Sequence, residues 1–289
     1  MGAFRRVEVI ANIASGSVGP AAPALVEEIF AEAGIAANIR APEPGDLGKA
    51  LKAAVDAAPD LLVILAGDGT ARAAAELCGP DGPVIAPLPG GTMNMLPHAV
   101  YGVRPWQDAL VRALEGGHEK MLGGGEVEGR QFLVAAILGP PALWAPAREA
   151  ARSGKGRLAI LRARRALRRA FTGRLRYSLD GGQREKTESL VVMCPLTSRV
   201  LGEEEQALEA AAMDLHNAAD VVSLGLSALR GDWRHDRSVA VERCQVARVW
   251  SAQGVPALLD GEPVRLKALT EIRYQPRLVR VLAIDKDAP

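Results

Sequence analysis

The sequence predicts an open α/β domain followed by a mainly antiparallel β-sandwich domain. Up to Gly123, short apolar runs alternate with longer amphipathic stretches; beyond it, short strand-like segments and Asp-Gly turns take over. Length points the same way, since 289 residues exceed what one hydrophobic core usually serves. The expected domains are 1–123 and 124–289, with the last strand a candidate to return to the first domain.

Residues 7–11 and 61–66 are compact apolar runs that end in polar, glycine-containing turns, as buried parallel strands do, and 84–88 is a weaker third. Between them, 24–33, stopped by Gly34, and 47–57 carry helical periodicity. Strand alternating with helix implies right-handed crossovers and helices on both sheet faces, with ligands bound beyond the carboxyl ends of the strands. In the second half, 132–138, 175–179, 190–194, 247–250, 257–259 and 278–284 read as strands of an antiparallel unit. Asp180-Gly181-Gly182 and Asp260-Gly261 read as hairpin turns between such strands. One helix is expected at 158–171, with Ile160, Ala163, Leu167 and Phe171 along one side.

Composition narrows the function. Thirty-five basic residues against 34 acidic ones leave a formal charge of +1, which argues against a chain built to hold nucleic acid. Cys78, Cys194 and Cys244 are few and far apart, which fits reduced thiols and a cytoplasmic setting. No apolar run is long enough to span a bilayer, so any membrane contact is expected to be peripheral, at the inner surface. The cysteines and the four histidines lack the spacing of a dedicated zinc site.

Three strand-to-helix turns carry candidate chemistry: Asn12-Ile13-Ala14-Ser15-Gly16-Ser17, Gly67-Asp68-Gly69-Thr70, and Pro89-Gly90-Gly91-Thr92-Met93-Asn94. Small residues let a phosphate approach backbone N–H groups, and a helix start offers unpartnered donors and a partial positive charge. Two of these turns also have a local explanation. Ser15-Gly16 suits an ordinary loop, and Thr70 suits a helix cap. An Asp between two glycines at the end of an apolar strand is costly unless it is used. Neither GxxxxGK[ST] nor a GxGxxG after the first strand is present, so the P-loop and dinucleotide-binding routes are not indicated.

These residues carry a family resemblance. Gly67-Asp68-Gly69-Thr70 resembles the core of the GGDGT motif of diacylglycerol kinases, sphingosine kinases and bacterial lipid kinases, shared also with NAD kinases. Pro89, Gly91-Thr92 and Asn94 resemble the PxGTxN element, and Asn12 with Ser15-Gly16 the NPxSG loop. Leu259-Asp260-Gly261-Glu262 resembles the DGE hairpin of the second domain, and 276–284 the closing strand. There are departures: Ala66 stands at the first glycine, Ile13 replaces the proline, and Met95 stands where many diacylglycerol kinases have Asp. The stretch 213–220 lacks the Asp-Gly pair of a structural magnesium site, so no ligand is carried over there.

The resemblance implies a phosphotransferase that moves the γ-phosphate of ATP to an alcohol of a lipid or lipid-like acceptor. Asn12, Ser15, Gly16, Gly67, Asp68, Gly69, Thr70, Gly91, Thr92 and Asn94 are then expected to hold Mg-ATP, with Asp68 orienting Mg2+ or its waters. Asp260, with Glu262 assisting, is expected to receive or orient the acceptor hydroxyl. The alternatives are a NAD kinase-like enzyme and a catalytically silent nucleotide- or lipid-binding protein. Arg162, Arg164, Arg165, Arg168 and Arg169 crowd the expected helix at 158–171. That basic side reads either as a solvated face or, through Arg162, Arg165 and Arg169, as a contact with anionic membrane.

Overall fold

A computed structural model describes residues 4–139, 142, 175–198, 200–201, 205–213 and 239–285. The chain divides into two units, one of Met1–Gly123 with Pro276–Pro289 and one of Gly124–Gln275.

In the first unit, strands β1 (Val7–Ala11), β2 (Ala37–Arg40), β3 (Leu61–Ala66) and β4 (Val84–Pro89) form a parallel sheet in the order β2-β1-β3-β4. Every residue of β1, β3 and β4 is buried, as in a sheet covered on both faces. The buried Glu8 of β1 is compensated from the edge strand, where Asn38 Nδ2 and Arg40 Nε donate to its carboxylate at 2.9 and 2.8 Å. β2 escapes a sequence reading because a short edge strand of mixed polarity has no alternation to read.

Helix α1 (Ala22–Glu32) buries Ala22, Val26 and Phe30 at a spacing of four, and a short 3₁₀ turn, Pro44–Asp46, leads into α2 (Leu47–Asp56). Both expected helices are thus present, displaced by a residue or two. α3 (Asp68–Cys78) and α4 (Met95–Tyr101) start at the second and third candidate turns. α5 (Trp106–Gly116) follows, burying Trp106, Ala109, Leu110 and Ala113. Its i, i+3, i+4, i+7 spacing was legible in the sequence but not drawn from it. The final strand β16 (Leu269–Ala283) is far longer than the expected 278–284; its distal part lies parallel to β4, with Val281 opposite Ile85. The Tyr101 hydroxyl donates to the Leu282 carbonyl at 2.8 Å, tying this strand to α4.

The second unit is antiparallel. One sheet runs β12-β11-β10-β7-β14-β15, from β7 (Ala135–Leu138), β10 (Ser189–Met193), β11 (Leu208–Met213), β12 (Val239–Cys244), β14 (Val255–Leu259) and β15 (Glu262–Leu266). The other joins the proximal part of β16 to β13 (Val246–Trp250), β8 (Leu175–Leu179) and β9 (Glu185–Thr187). The hairpin of β5 (His118–Val127) and β6 (Arg130–Phe132) belongs to that second sheet. Leu190, Val192, Leu208 and Leu259 of one sheet and Tyr177, Val249 and Ile272 of the other close a common core. Phe132 is seated on Gly125, where a Cβ would lie 2.0 Å from its ring.

The expected single strand at 132–138 is instead two. β6 pairs in one sheet and β7 in the other, so Leu133 and Val134 carry the chain across a corner. The expected helix at 158–171 and the stretch 214–220 lie outside the described residues. Among the described residues no helix is long and apolar enough to cross a membrane.

Candidate functional site

The three turns of the first unit converge. A Cβ on Gly91 would lie 2.7 Å from the Gly67 Cα, and one on Gly67 would lie 3.6 Å from the Ser15 Oγ. A Cβ on Gly16 would lie 3.4 Å from the Gly91 carbonyl and the Thr92 Oγ1. Gly91 is therefore in backbone-to-backbone contact with Gly67 that only a glycine at 91 permits, whereas a Cβ on Gly67 would make ordinary contacts. Gly90 has the same constraint, since a Cβ there would meet Val18 at 2.7 Å and the Ala66 nitrogen at 2.8 Å. Its requirement comes from β3 alongside and is invisible in motif spacing.

Each turn is shaped by its own side chains. In the first, Asn12 Oδ1 accepts the Ala14 N–H at 3.2 Å and the Asn12 carbonyl accepts the Ser15 N–H at 2.9 Å. Ser17, which the sequence reading did not single out, donates its N–H to the Gly90 carbonyl at 3.2 Å and so fastens this loop to the third turn. In the second, the Gly67 carbonyl accepts the Thr70 N–H at 3.0 Å, which opens α3 and leaves the earlier amides at its N-terminus beyond the intrahelical ladder. In the third, Asn94 takes a left-handed conformation at φ +51°. Its Oδ1 accepts the Gly91 N–H at 2.7 Å and its Nδ2 donates to the Gly91 carbonyl at 3.2 Å. Asn94 is thus buried as the brace of the turn, while Thr92 is exposed.

Asp68 is partly buried at the head of α3, where its Oδ1 accepts the Leu96 N–H of α4 at 3.2 Å. Burial raises its carboxyl above the ordinary range, against the amides of Leu96, Met95 and Asn94 and the nearby His98, which favour the charged form. His98 was not picked out from the sequence, because only the turn of α4 brings it near Asp68. Among the described residues no group of three or more His, Cys, Asp or Glu forms a metal cage. Asp68 nonetheless suits a hydrated magnesium ion, being a hard oxygen donor beside phosphate-sized turns.

In the second unit, Asp260 (φ +47°) and Gly261 (φ +86°) form the two-residue turn between β14 and β15, a type I′ hairpin. Asp260 is only 4% exposed. Its Oδ1 accepts the N–H groups of Val134 and Ala135, both at 2.9 Å, and its Oδ2 that of Leu133 at 2.8 Å. Burial first, and then this carboxylate's charge, push the Cys194 thiol well above its ordinary range. Glu262, half-buried, opens β15 opposite Leu259.

Residues 6–124 match the family model described as the diacylglycerol kinase catalytic domain. A crystal structure of a candidate diacylglycerol kinase from Bacillus anthracis str. Sterne shares the fold at a TM-score of 0.74 and 17% identity, covering 98% of this chain and 96% of that one. Another diacylglycerol kinase structure from the same organism aligns at a TM-score of 0.67 and 15% identity over 97% of each chain. Yeast NADH kinase in complex with NADH aligns at 0.53 and 10% identity, covering 99% of this chain and 85% of that one. No curated protein matches. The three converging turns, with GDGT and PxGTxN at their centre, lie within residues 6–124, the stretch that is similar to the diacylglycerol kinase catalytic domain.

Proposed function

We propose that the protein transfers the γ-phosphate of ATP to a hydroxyl of a lipid or lipid-like acceptor. The observation that supports this most is the meeting of Ser15-Gly16, Gly67 and Gly91-Thr92 at the N-terminus of α3, with Asp68 as its first residue. Phosphoryl transfer asks a protein mainly for positioning and charge stabilisation. The amides at the head of the eleven-residue α3 supply donors and a partial positive charge for phosphate oxygens. Gly67 and Gly91 leave the backbone bare where a phosphate must approach, and Asn12, Ser17 and Asn94 hold the three turns in place. Magnesium, when bound, would spread charge over the phosphate oxygens, and Asp68 would hold it or its waters. On the acceptor, the Asp260-Gly261-Glu262 hairpin supplies the carboxylates. A peripheral contact with anionic membrane through Arg162, Arg165 and Arg169 is part of the same reading.

A NAD kinase-like activity is favoured by the shared GDGT turn and by the fold shared with the yeast enzyme, whereas the family match and the Asp260-Gly261-Glu262 element favour a lipid kinase. The test is incubation with labelled ATP, magnesium and a panel of diacylglycerols, sphingoid bases and NAD. Label in an extractable lipid supports the proposal; label in NAD alone overturns it.

A further inference from the structure

The first unit, taken by itself, holds a cavity of about 600 Å³ that none of the three turns uses. Helices α1 and α5 pack side by side, and the cavity opens between their C-terminal ends. α1 runs from the carboxyl end of β1, where the first turn lies, to the amino end of β2. Its C-terminus, and the cavity with it, is therefore at the sheet edge opposite the phosphate-sized turns.

The floor of the cavity is apolar. Ile29 and Ile35 line it from α1 and the chain beyond, Val111 and Leu114 from α5, Leu282 from β16, and Phe4 from the chain before β1. Ile29, Ile35, Val111 and Leu114 are only half-buried, so the cavity leaves apolar surface open to solvent.

The rim is acidic, and of the wrong sign for where it stands. Glu32 is the last residue of α1, Glu115 the last but one of α5, and Glu119 follows at the start of β5. A helix C-terminus carries unpaired carbonyls and a partial negative charge, which a lysine or arginine ordinarily offsets. Neither helix has a basic residue in its last turn, and among the described residues no basic side chain lines the cavity. Glu119 is answered by Arg280 at 3.1 Å. Glu32 and Glu115 are exposed and have no ion-pair partner among the described residues.

We propose that this cavity binds an amphiphilic ammonium compound, an alkyl chain ending in a protonated amine, with the chain on the apolar floor and the ammonium among the rim carboxylates. The volume falls within the roughly 300 to 1,000 Å³ usual for small-ligand sites. An ammonium supplies both the positive charge that the two helix ends lack and N–H donors for their free carbonyls. The alkyl chain covers the half-buried side chains, which a hydrated metal ion would leave bare. A carboxylate or phosphate head group would meet like charge. The proposal does not rest on the kinase reading, because the cavity is at the opposite sheet edge from the phosphate-sized turns.

The test titrates octylammonium into the full chain by calorimetry and follows the amide resonances of Val111 and Leu114. Octanol and octanoate, equal in chain length, are the comparison probes. Octylammonium should bind about tenfold more tightly than octanol and shift both resonances, while octanoate binds least. Glu32→Gln with Glu115→Gln should bring octylammonium down to the level of octanol and leave octanol unchanged. Ile29→Arg, which puts a cation and bulk into the cavity, should abolish binding of both. No binding of octylammonium, equal binding of the three probes, or full affinity in the double glutamine variant would overturn the proposal. A dimer of the wild type in sedimentation that Ile29→Arg dissociates would also overturn it, since a second copy would then be the occupant. Should Ile29→Arg fail to fold, the exposed Glu32 and Glu115 variants decide.

Discussion

The Asp68 carboxylate accepts the Leu96 N–H at 3.2 Å, so the first residue of α3 caps the start of α4. The same side chain that the family motif assigns to the phosphate site is therefore also a splice between two helices. Asn94, at the N-cap position of α4, makes no capping bond of its own, because its amide braces Gly91.

Asp68→Ala should abolish turnover, and it should also cost stability, about 1 kcal/mol for a lost helix cap. Thermal denaturation beside a turnover assay separates the two effects. The pH dependence has a definite sign. Because burial raises this carboxyl, the folded state holds the proton more tightly than the unfolded chain. Its stabilising share is greatest below the unfolded value and is lost as pH rises through the folded one. Magnesium needs the ionised form, so magnesium affinity should fall on acidification at a higher pH than an ordinary carboxylate of about 3.9 dictates. A magnesium titration at stepped pH reads this directly.

Gly91→Ala places a methyl 2.7 Å from the Gly67 Cα, and backbone cannot step aside as a side chain can. The two turns must separate, with an overpacking cost of about 1 to 3 kcal/mol. ATP binding, measured by calorimetry, should weaken at least tenfold, since the cradle depends on that approach. Gly48→Ala, where a Cβ meets nothing within 4 Å, is the matched control and should be silent.

Asn94→Ala removes both bonds to Gly91 and leaves a Cβ-bearing residue at φ +51°. The left-handed penalty alone is about 1 to 2 kcal/mol, and the lost bonds add to it. Asn94→Gly relieves the first term only, so its melting temperature should fall between those of the wild type and Asn94→Ala. Equal melting temperatures for the two variants would remove the conformational term.

Membrane contact through Arg162, Arg165 and Arg169 predicts sedimentation with anionic vesicles that weakens as salt rises, because exposed charges are screened over about 8 Å at physiological ionic strength. Neutral vesicles should bind far less. Equal partition onto both leaves the solvated-face reading of these arginines.

The sequence by itself determined the parallel core and the positions of its phosphate-sized turns. The buried strands 7–11 and 61–66 are nearly unbroken apolar runs, and the turn residues stand where such strands end. Local chemistry sufficed there, because burial on both faces and glycine's freedom leave marks on neighbouring residues. Only the tertiary structure decided what Asp68, Asn94 and Asp260 are bonded to. Their partners come from backbone amides: 28 residues away for Asp68, three for Asn94, and 125 to 127 for Asp260. A backbone N–H is the same in every residue but proline, so no residue type at 133–135 announces that its amides have left a ladder. An Asp-Gly turn therefore reads alike in sequence whether its carboxylate meets solvent, a substrate or a strand corner, and the fold alone tells them apart.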